Sequence, residues 1–298
     1  MIEFDGVTKS FAGKEVLRGL TFVARDGAVT GFVGPNGAGK STAFKILLGL
    51  LTADGGTALV DGKRYSLDPA MARHVGAAVN AQWIPARMSG RGYLEYICDL
   101  KGSTDVDIDD ALVGVGIADA ADRTVKGYSM GMRQRLSIAG ALMGSPQHLV
   151  LDEPVNGLDV EAVRWLRGTL RGAADQGRCV LMSSHLLSEL ELAADDVVML
   201  SQGRVGREGR MTDMRRVVTE DVLVASVDND ELARLLAAHG AIVESEGVAL
   251  RVKGRSVNWV ARVAGAGEVV LHSVSRPERS LEDVYLDQIG GEEEGLPS

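Results

Sequence analysis

The sequence predicts an α/β chain: a mostly parallel sheet with helices around it over roughly the first 215 residues, then a smaller unit whose elements run β, α, β, β, α, β. Three observations carry this. Apolar runs of strand length alternate with helix-like segments up to about residue 210. A glycine-rich loop, Gly34-Pro35-Asn36-Gly37-Ala38-Gly39-Lys40-Ser41-Thr42, joins an apolar strand to a helix with an apolar face. Beyond residue 216 the element order changes to the split βαβ arrangement of a ferredoxin-like unit.

From the N-terminus, residues 2–4 form a short strand, and Lys9-Ser10-Phe11-Ala12-Gly13-Lys14 a polar turn. Phe11 there either stacks on a flat ligand such as adenine or folds back onto the core. Residues 20–24 and 28–33 are strands joined by the turn Arg25-Asp26-Gly27. The loop that follows fits the phosphate-binding pattern of Gly, four residues, then Gly-Lys-Ser. Glycines let backbone N–H groups curl around a phosphate, and the helix N-terminus adds partial positive charge. In that setting Lys40 reaches the outer phosphates and Ser41 holds Mg²⁺.

Residues 57–60 and 75–79 are strands, the second ending at Asn80. The stretch 81–91 has no clear period and reads as loop, 92–100 as a helix, and 102–123 as short surface helices. Tyr128-Ser129-Met130-Gly131-Met132 precedes a helix to about residue 143. Ser129 and Gly131 fit a second anion-binding helix terminus and, taken alone, fit ordinary capping better. His148-Leu149-Val150-Leu151-Asp152-Glu153 is an apolar strand ending in two carboxylates. Downstream of the phosphate loop, Asp152 can reach a cation held by Ser41, and Glu153 can orient or deprotonate a water.

Asn156-Gly157-Leu158-Asp159 turns into a helix to about residue 174, with Asp159 placed as an N-cap. Residues 179–182 form a strand ending at Ser183-Ser184-His185, where the histidine either bonds a γ-phosphate or is structural. A hairpin turns at Gln202-Gly203, and 212–216 are helix-like. The second unit follows as strand 222–227, helix 230–239, strands 241–244 and 248–252, helix 256–264 and strand 268–274. A last helix, 280–288, opens on Ser280-Leu281-Glu282-Asp283 with capping-box spacing.

Composition narrows the class. The formal net charge of −9 argues against nucleic acid as a partner. Cys98 and Cys179 lack metal-like spacing and read as buried free thiols in a reducing cytoplasm. The start, Met1-Ile2-Glu3-Phe4-Asp5, has no signal-peptide pattern, and no apolar run reaches the ~18 residues of a membrane span. Work at a membrane therefore needs spans from another chain. Glu292-Glu293-Glu294 reads as a solvated tail.

Together these residues resemble the ATP-binding subunit of an ABC transporter, over roughly residues 1–215 and through several ordered motifs. The resemblance implies a P-loop NTPase of ABC type: a mostly parallel core sheet, an antiparallel β subdomain, a helical subdomain at about 85–145, and an accessory domain over 216–298. It implies ATP and Mg²⁺ as ligands. Phe11 then stacks on adenine, and Gly34, Pro35, Asn36, Gly37, Ala38, Gly39, Lys40, Ser41 and Thr42 hold the phosphates. Asp152 and Glu153 match the Walker B pair, with Glu153 as catalytic base; Asp159 falls in the D-loop and His185 is the switch histidine. Ser129 and Gly131 belong to the five-residue signature, which closes on the γ-phosphate of a second subunit in a head-to-tail dimer. Two positions depart from the family. Asn80 stands where Gln is usual, one methylene shorter in its reach to Mg²⁺, with Gln82 two residues on. Met130 replaces a usual glycine of the signature.

The C-terminal unit and the ending 280–286 resemble bacterial exporters of drugs, antibiotics and lipid-linked compounds, whose multi-span membrane chain is separate. That implies ATP hydrolysis driving export of a small molecule, from a peripheral position on the inner face of the cell membrane. The alternative is a soluble ATPase doing mechanical work on a cytosolic complex, which the negative charge and single cassette disfavour. A regulatory protein that has lost catalysis is disfavoured by Lys40, Asp152, Glu153 and His185, although a sensing role for residues 218–275 stays open.

Overall fold

The computed structural model describes residues 1–66, 69–103, 106–215 and 221–276. The chain divides into two compact units that part between Met211 and Thr212. The first runs β1 (Ile2–Phe11), β2 (Lys14–Ala24), β3 (Ala28–Val33), α1 (Lys40–Leu47), β4 (Gly55–Val60), α2 (Pro69–His74), β5 (Val75–Ala78), α3 (Gly90–Lys101), α4 (Ile108–Gly114) and α5 (Met130–Leu142). It continues through β6 (His148–Leu151), α6 (Val160–Asp175), β7 (Cys179–Ser184), α7 (Leu187–Glu191), β8 (Asp196–Ser201) and β9 (Arg204–Arg210).

Two sheets are built from these strands. The larger has the order β5-β6-β7-β3-β8-β9, parallel except for β9, which returns antiparallel to β8. Strands β3, β6 and β7 are buried at every residue, as expected of parallel strands covered on both faces. The smaller sheet is antiparallel, in the order β2-β1-β4. A column of phenylalanines crosses between the sheets. Phe4 stacks on Phe22 at 4.7 Å between centroids, Phe22 on Phe32 at 5.0 Å, and Phe32 on Phe44 at 5.8 Å. Each such pair is worth about 0.5–1.5 kcal/mol beyond its buried area. The column ties β1 and β2 to the strand and helix that flank the glycine loop.

Helices α3, α4 and α5 pack around their own apolar cluster, with Leu94, Leu112 and Leu136 fully buried. The expected surface character of 102–123 does not hold: Leu112, Val115, Ile117, Ala120 and Ala121 are all buried. A left-handed Gly116 (φ 69°) and a 3-10 turn at Ala118–Ala120 break the helical period, so no stripe shows in the sequence. The loop expected at 81–91 contains a 3-10 turn, Ala81–Trp83, and α2 and α7 lie where no helix is expected. Strand β1 runs on to Phe11, because Ala12 (φ 48°) and Gly13 (φ 82°) make a two-residue hairpin turn. Cys98 and Cys179 are buried and unpaired, and burial pushes the Cys179 thiol up to about 12.

Lys101, at the end of α3, is buried at 7% exposure. Its Nζ donates to the carbonyl oxygens of Met143 at 2.9 Å and Ala141 at 3.4 Å, capping the C-terminal end of α5. Burial pushes the amine down from 10.5 to about 8. The unfolded chain therefore holds this proton between those values while the folded one releases it, so stability rises with pH across that window. The gain amounts to about 3 kcal/mol. Urea titrations should show the stability of wild type over Lys101→Met growing by about that amount from pH 8 to 10.5. A constant difference would mean the amine is solvated.

The second unit comprises β10 (Val222–Ser226), α9 (Asn229–Ala238), β11 (Ile242–Glu246), β12 (Ala249–Lys253), α10 (Val257–Ala266) and β13 (Leu271–Ser275), preceded by the short α8 (Met211–Arg215) that begins at the division. Its antiparallel sheet has the order β11-β12-β10-β13, the second, third, first and fourth strands of the unit, which is the ferredoxin-like arrangement. Val222, Val224, Leu232, Leu236, Val252 and Val260 form its buried core. The expected helix at 280–288, its capping box, the tail Glu292-Glu293-Glu294 and residue 216 lie outside the described residues. Among the described residues no helix is long and apolar enough to cross a membrane.

Candidate active site

Sheet order assembles the site. β3 lies between β7 and β8, and β6 lies on the far side of β7. Val33 is level with Ser184, and Leu151 with Met182. The glycine loop after β3, the two acids after β6 and His185 after β7 thus emerge at the carboxyl ends of three adjacent parallel strands, the usual ligand position in such sheets.

The loop has no room for side chains at two of its glycines. A Cβ at Gly34 would lie 2.5 Å from the Leu200 carbonyl oxygen, and one at Gly39 (φ 111°) 2.6 Å from Leu17 Cδ2. Gly39 also leaves α1 without a side-chain cap, so the first N–H groups of the helix stay available to an anion. Lys40 is buried; its Nζ donates to the Gly34 carbonyl at 2.6 Å and lies 3.3 Å from Glu153 Oε1. Glu153 Oε2 is 2.7 Å from His185 Nδ1. A cavity of about 260 Å³ opens here, bordered by Asn36, Gly37, Gly39, Lys40, Ser41, Thr42, Glu153 and His185, with Val16 and Asn156. The phosphate loop, one acid and the histidine therefore share one cavity.

Asp152 is fastened from the neighbouring strand: Ser183 Oγ donates to its Oδ1 at 2.6 Å. Asp152 and Glu153 also border a second cavity of about 540 Å³ with Asn80, Gln82, Met130 and Gln134. Asn80 is turned onto its own chain, where its Oδ1 accepts from the Gln82 amide at 2.9 Å. Ser41 and Asp152 offer hydroxyl and carboxylate oxygens, a donor set that suits Mg²⁺.

The remaining candidates stand apart from the glycine-loop cavity. Ser129 caps α5, its Oγ accepting from the Met132 amide at 3.2 Å. A Cβ at Gly131 would lie 2.5 Å from the Gly157 carbonyl oxygen, so glycine there allows close backbone packing. Met130 is 66% exposed beside it. Asp159 caps α6 through the Ala162 amide at 2.8 Å and pairs with Arg135 at 2.7 Å. The Ala162 amide first, and Arg135 after it, hold its carboxyl below the usual carboxylate range. Phe11 is 45% exposed at the end of β1, with Lys9 Nζ 5.5 Å from its ring centroid, so the alternative of a Phe folded onto the core is excluded. Pro35 and Ala38 complete the loop without bordering the cavity.

Sequence reasoning passed over Ser183, Val16 and Gln134. Gln134 Nε2 donates to the Pro154 carbonyl at 3.2 Å and braces the turn after the acids. None of the three stands out in sequence: Ser183 and Val16 are ordinary strand residues, and Gln134 lies inside a helix.

Known proteins resemble this chain along most of its length. Residues 17–156 match the family described as ABC transporter, and residues 220–282 match a domain of unknown function. An uncharacterised ABC transporter ATP-binding protein of Bacillus subtilis, YhcH, is 33% identical over 299 residues, 97% of this chain and 96% of that protein. The daunorubicin/doxorubicin resistance ATP-binding protein DrrA of Streptomyces peucetius is 30% identical over 305 residues, 97% of this chain and 92% of that protein. The solved dimeric structure of MJ0796, a bacterial ABC transporter cassette, superposes with a TM-score of 0.63 at 21% identity, over 71% of this chain and 99% of that one. Related along nearly its whole length to such proteins, the chain belongs to the ATP-binding proteins of ABC transporters and is an ATPase.

Proposed function

We propose that this ATPase drives export of a small molecule through a separately encoded, multi-span membrane protein, from the inner face of the cell membrane. The observation that carries the reading is the meeting of Lys40, Glu153 and His185 at one cavity beside the glycine loop. The name of DrrA, with its daunorubicin and doxorubicin resistance, supports a small-molecule cargo. Residues 1–215 serve as the ATP-binding domain, with a helical part at about 85–145, and 216–298 as an accessory domain.

In this reading the phosphates take Lys40 away from Glu153. Glu153 then orients a water and accepts its proton as the water oxygen bonds to the γ-phosphorus and the bond to ADP breaks. His185 holds the Glu153 carboxylate in place. Ser41 and Asp152, with Asn80 or Gln82 nearby, would hold Mg²⁺, which would offset the phosphate charge. Phe11 stacks on adenine. Ser129 and Gly131, which do not border their own chain's glycine-loop cavity, serve the nucleotide of a second copy in a head-to-tail dimer, with Asp159 at that junction. The dimeric structure of MJ0796 supports this assembly.

The test is an affinity capture with Glu153→Gln from detergent-solubilised native membranes in Mg-ATP. A polytopic protein with about six spans of ~20 apolar residues is expected to co-purify. Recovery of soluble partners alone would reject the transporter reading.

A further inference from the structure

Ser183 lies on β7 between β6 and β3 and is fully buried. A serine hydroxyl has one proton to give and lone pairs to accept with. Here both are committed to the acid pair of the next strand. The proton goes to Asp152 Oδ1 at 2.6 Å, and the oxygen accepts the Glu153 N–H at 2.8 Å. The second grip falls on a residue that needs one. Glu153 has φ 48°, a left-handed conformation uncommon for a residue with a side chain and held only where surroundings enforce it. The adjacent Ser184 cannot stand in. Its Oγ bonds to Glu189 Oε2 at 3.0 Å and accepts the Leu186 amide at 2.9 Å, on the other side of the strand.

We propose that Ser183 is a positioning residue for catalysis: one hydroxyl sets the carboxylate of Asp152 for the cation and fixes the turn that presents Glu153. This rests on the reading of Asp152 as a Mg²⁺ ligand. Groups that orient a metal-binding carboxylate are typically worth 10–100-fold in metal affinity or activity.

The full chain is compared as wild type, Ser183→Ala, Ser183→Thr and Asp152→Asn, with Mn²⁺ as the probe cation. Paramagnetic resonance measures Mn²⁺ binding to the ATP-loaded protein, and a fluorescent ATP analogue measures nucleotide binding in EDTA. Ser183→Ala should need about tenfold more Mn²⁺ for half-saturation, with nucleotide binding in EDTA unchanged, and Ser183→Thr should track wild type. If Ser183→Ala does not fold, Ser183→Cys replaces it, since a thiol keeps the volume but donates weakly. Overlap of the Ser183→Ala curve with wild type, while Asp152→Asn shifts, overturns the role of Ser183 alone. A Ser183→Thr variant that melts with wild type yet binds Mn²⁺ as weakly as Ser183→Ala also overturns it, by showing that a hydroxyl in an intact fold is not what matters. If Asp152→Asn leaves Mn²⁺ binding unmoved, the metal reading fails and takes the proposal with it.

Discussion

Replacing Glu153 with glutamine should lower ATP turnover by about two to four orders of magnitude while ATP still binds. Glutamine keeps the length and shape of the side chain and can still hydrogen-bond His185. What it loses is the ability to accept the proton of the attacking water. It also loses the charge that holds Lys40 at 3.3 Å. An uncharged partner frees Lys40 for phosphate, so nucleotide affinity should hold or rise, and ATP should accumulate on the protein. Steady-state phosphate release and equilibrium binding of a fluorescent ATP analogue separate the two effects. Turnover within a few-fold of wild type would falsify the assignment of Glu153 as the base.

The second large effect is on binding. Lys40→Met keeps an unbranched apolar stem in a buried slot and removes the ammonium. Charge-assisted hydrogen bonds to phosphate are worth about 1.5–3 kcal/mol, so ATP should bind roughly 10–100-fold more weakly. Without nucleotide the protein should melt within a few degrees of wild type, because Glu153 keeps its contact with His185. ATP affinity within threefold of wild type would show that Lys40 does not reach the phosphates.

What the sequence made legible follows from how each feature is encoded. The glycine loop could be read because its geometry excludes side chains at Gly34 and Gly39, and few residue patterns satisfy that. The two acids draw notice in the sequence because they end an apolar strand downstream of the glycine loop. Strand β3 was legible to the residue, since a strand buried on both faces is apolar from end to end. The short α2 and α7 were not, being too brief to show a period. Phe11 was placed in a turn because Gly13 follows so closely, whereas the turn is only two residues long and the strand runs up to it. Ser183 was invisible for another reason: its partners, Asp152 and Glu153, lie about thirty positions away and meet it only through strand pairing. In the second unit the alternation of elements gave the topology, but no side-chain pattern there pointed to a ligand.

The pairing of β3 also bears on how the chain is made. β3 is buried at every residue, and its only strand neighbours among the described residues are β7 and β8, which begin at residues 179 and 196. Until those strands have been made, the strand that carries the glycine loop is an apolar segment with both edges open, the kind that invites aggregation. Such long-range parallel pairing is also slow to form. The edges of β3 gain their strand partners only once β7 and β8 have both been made. Lys40, Glu153 and His185 likewise come together only once β7 has paired with β3 on one side and β6 on the other.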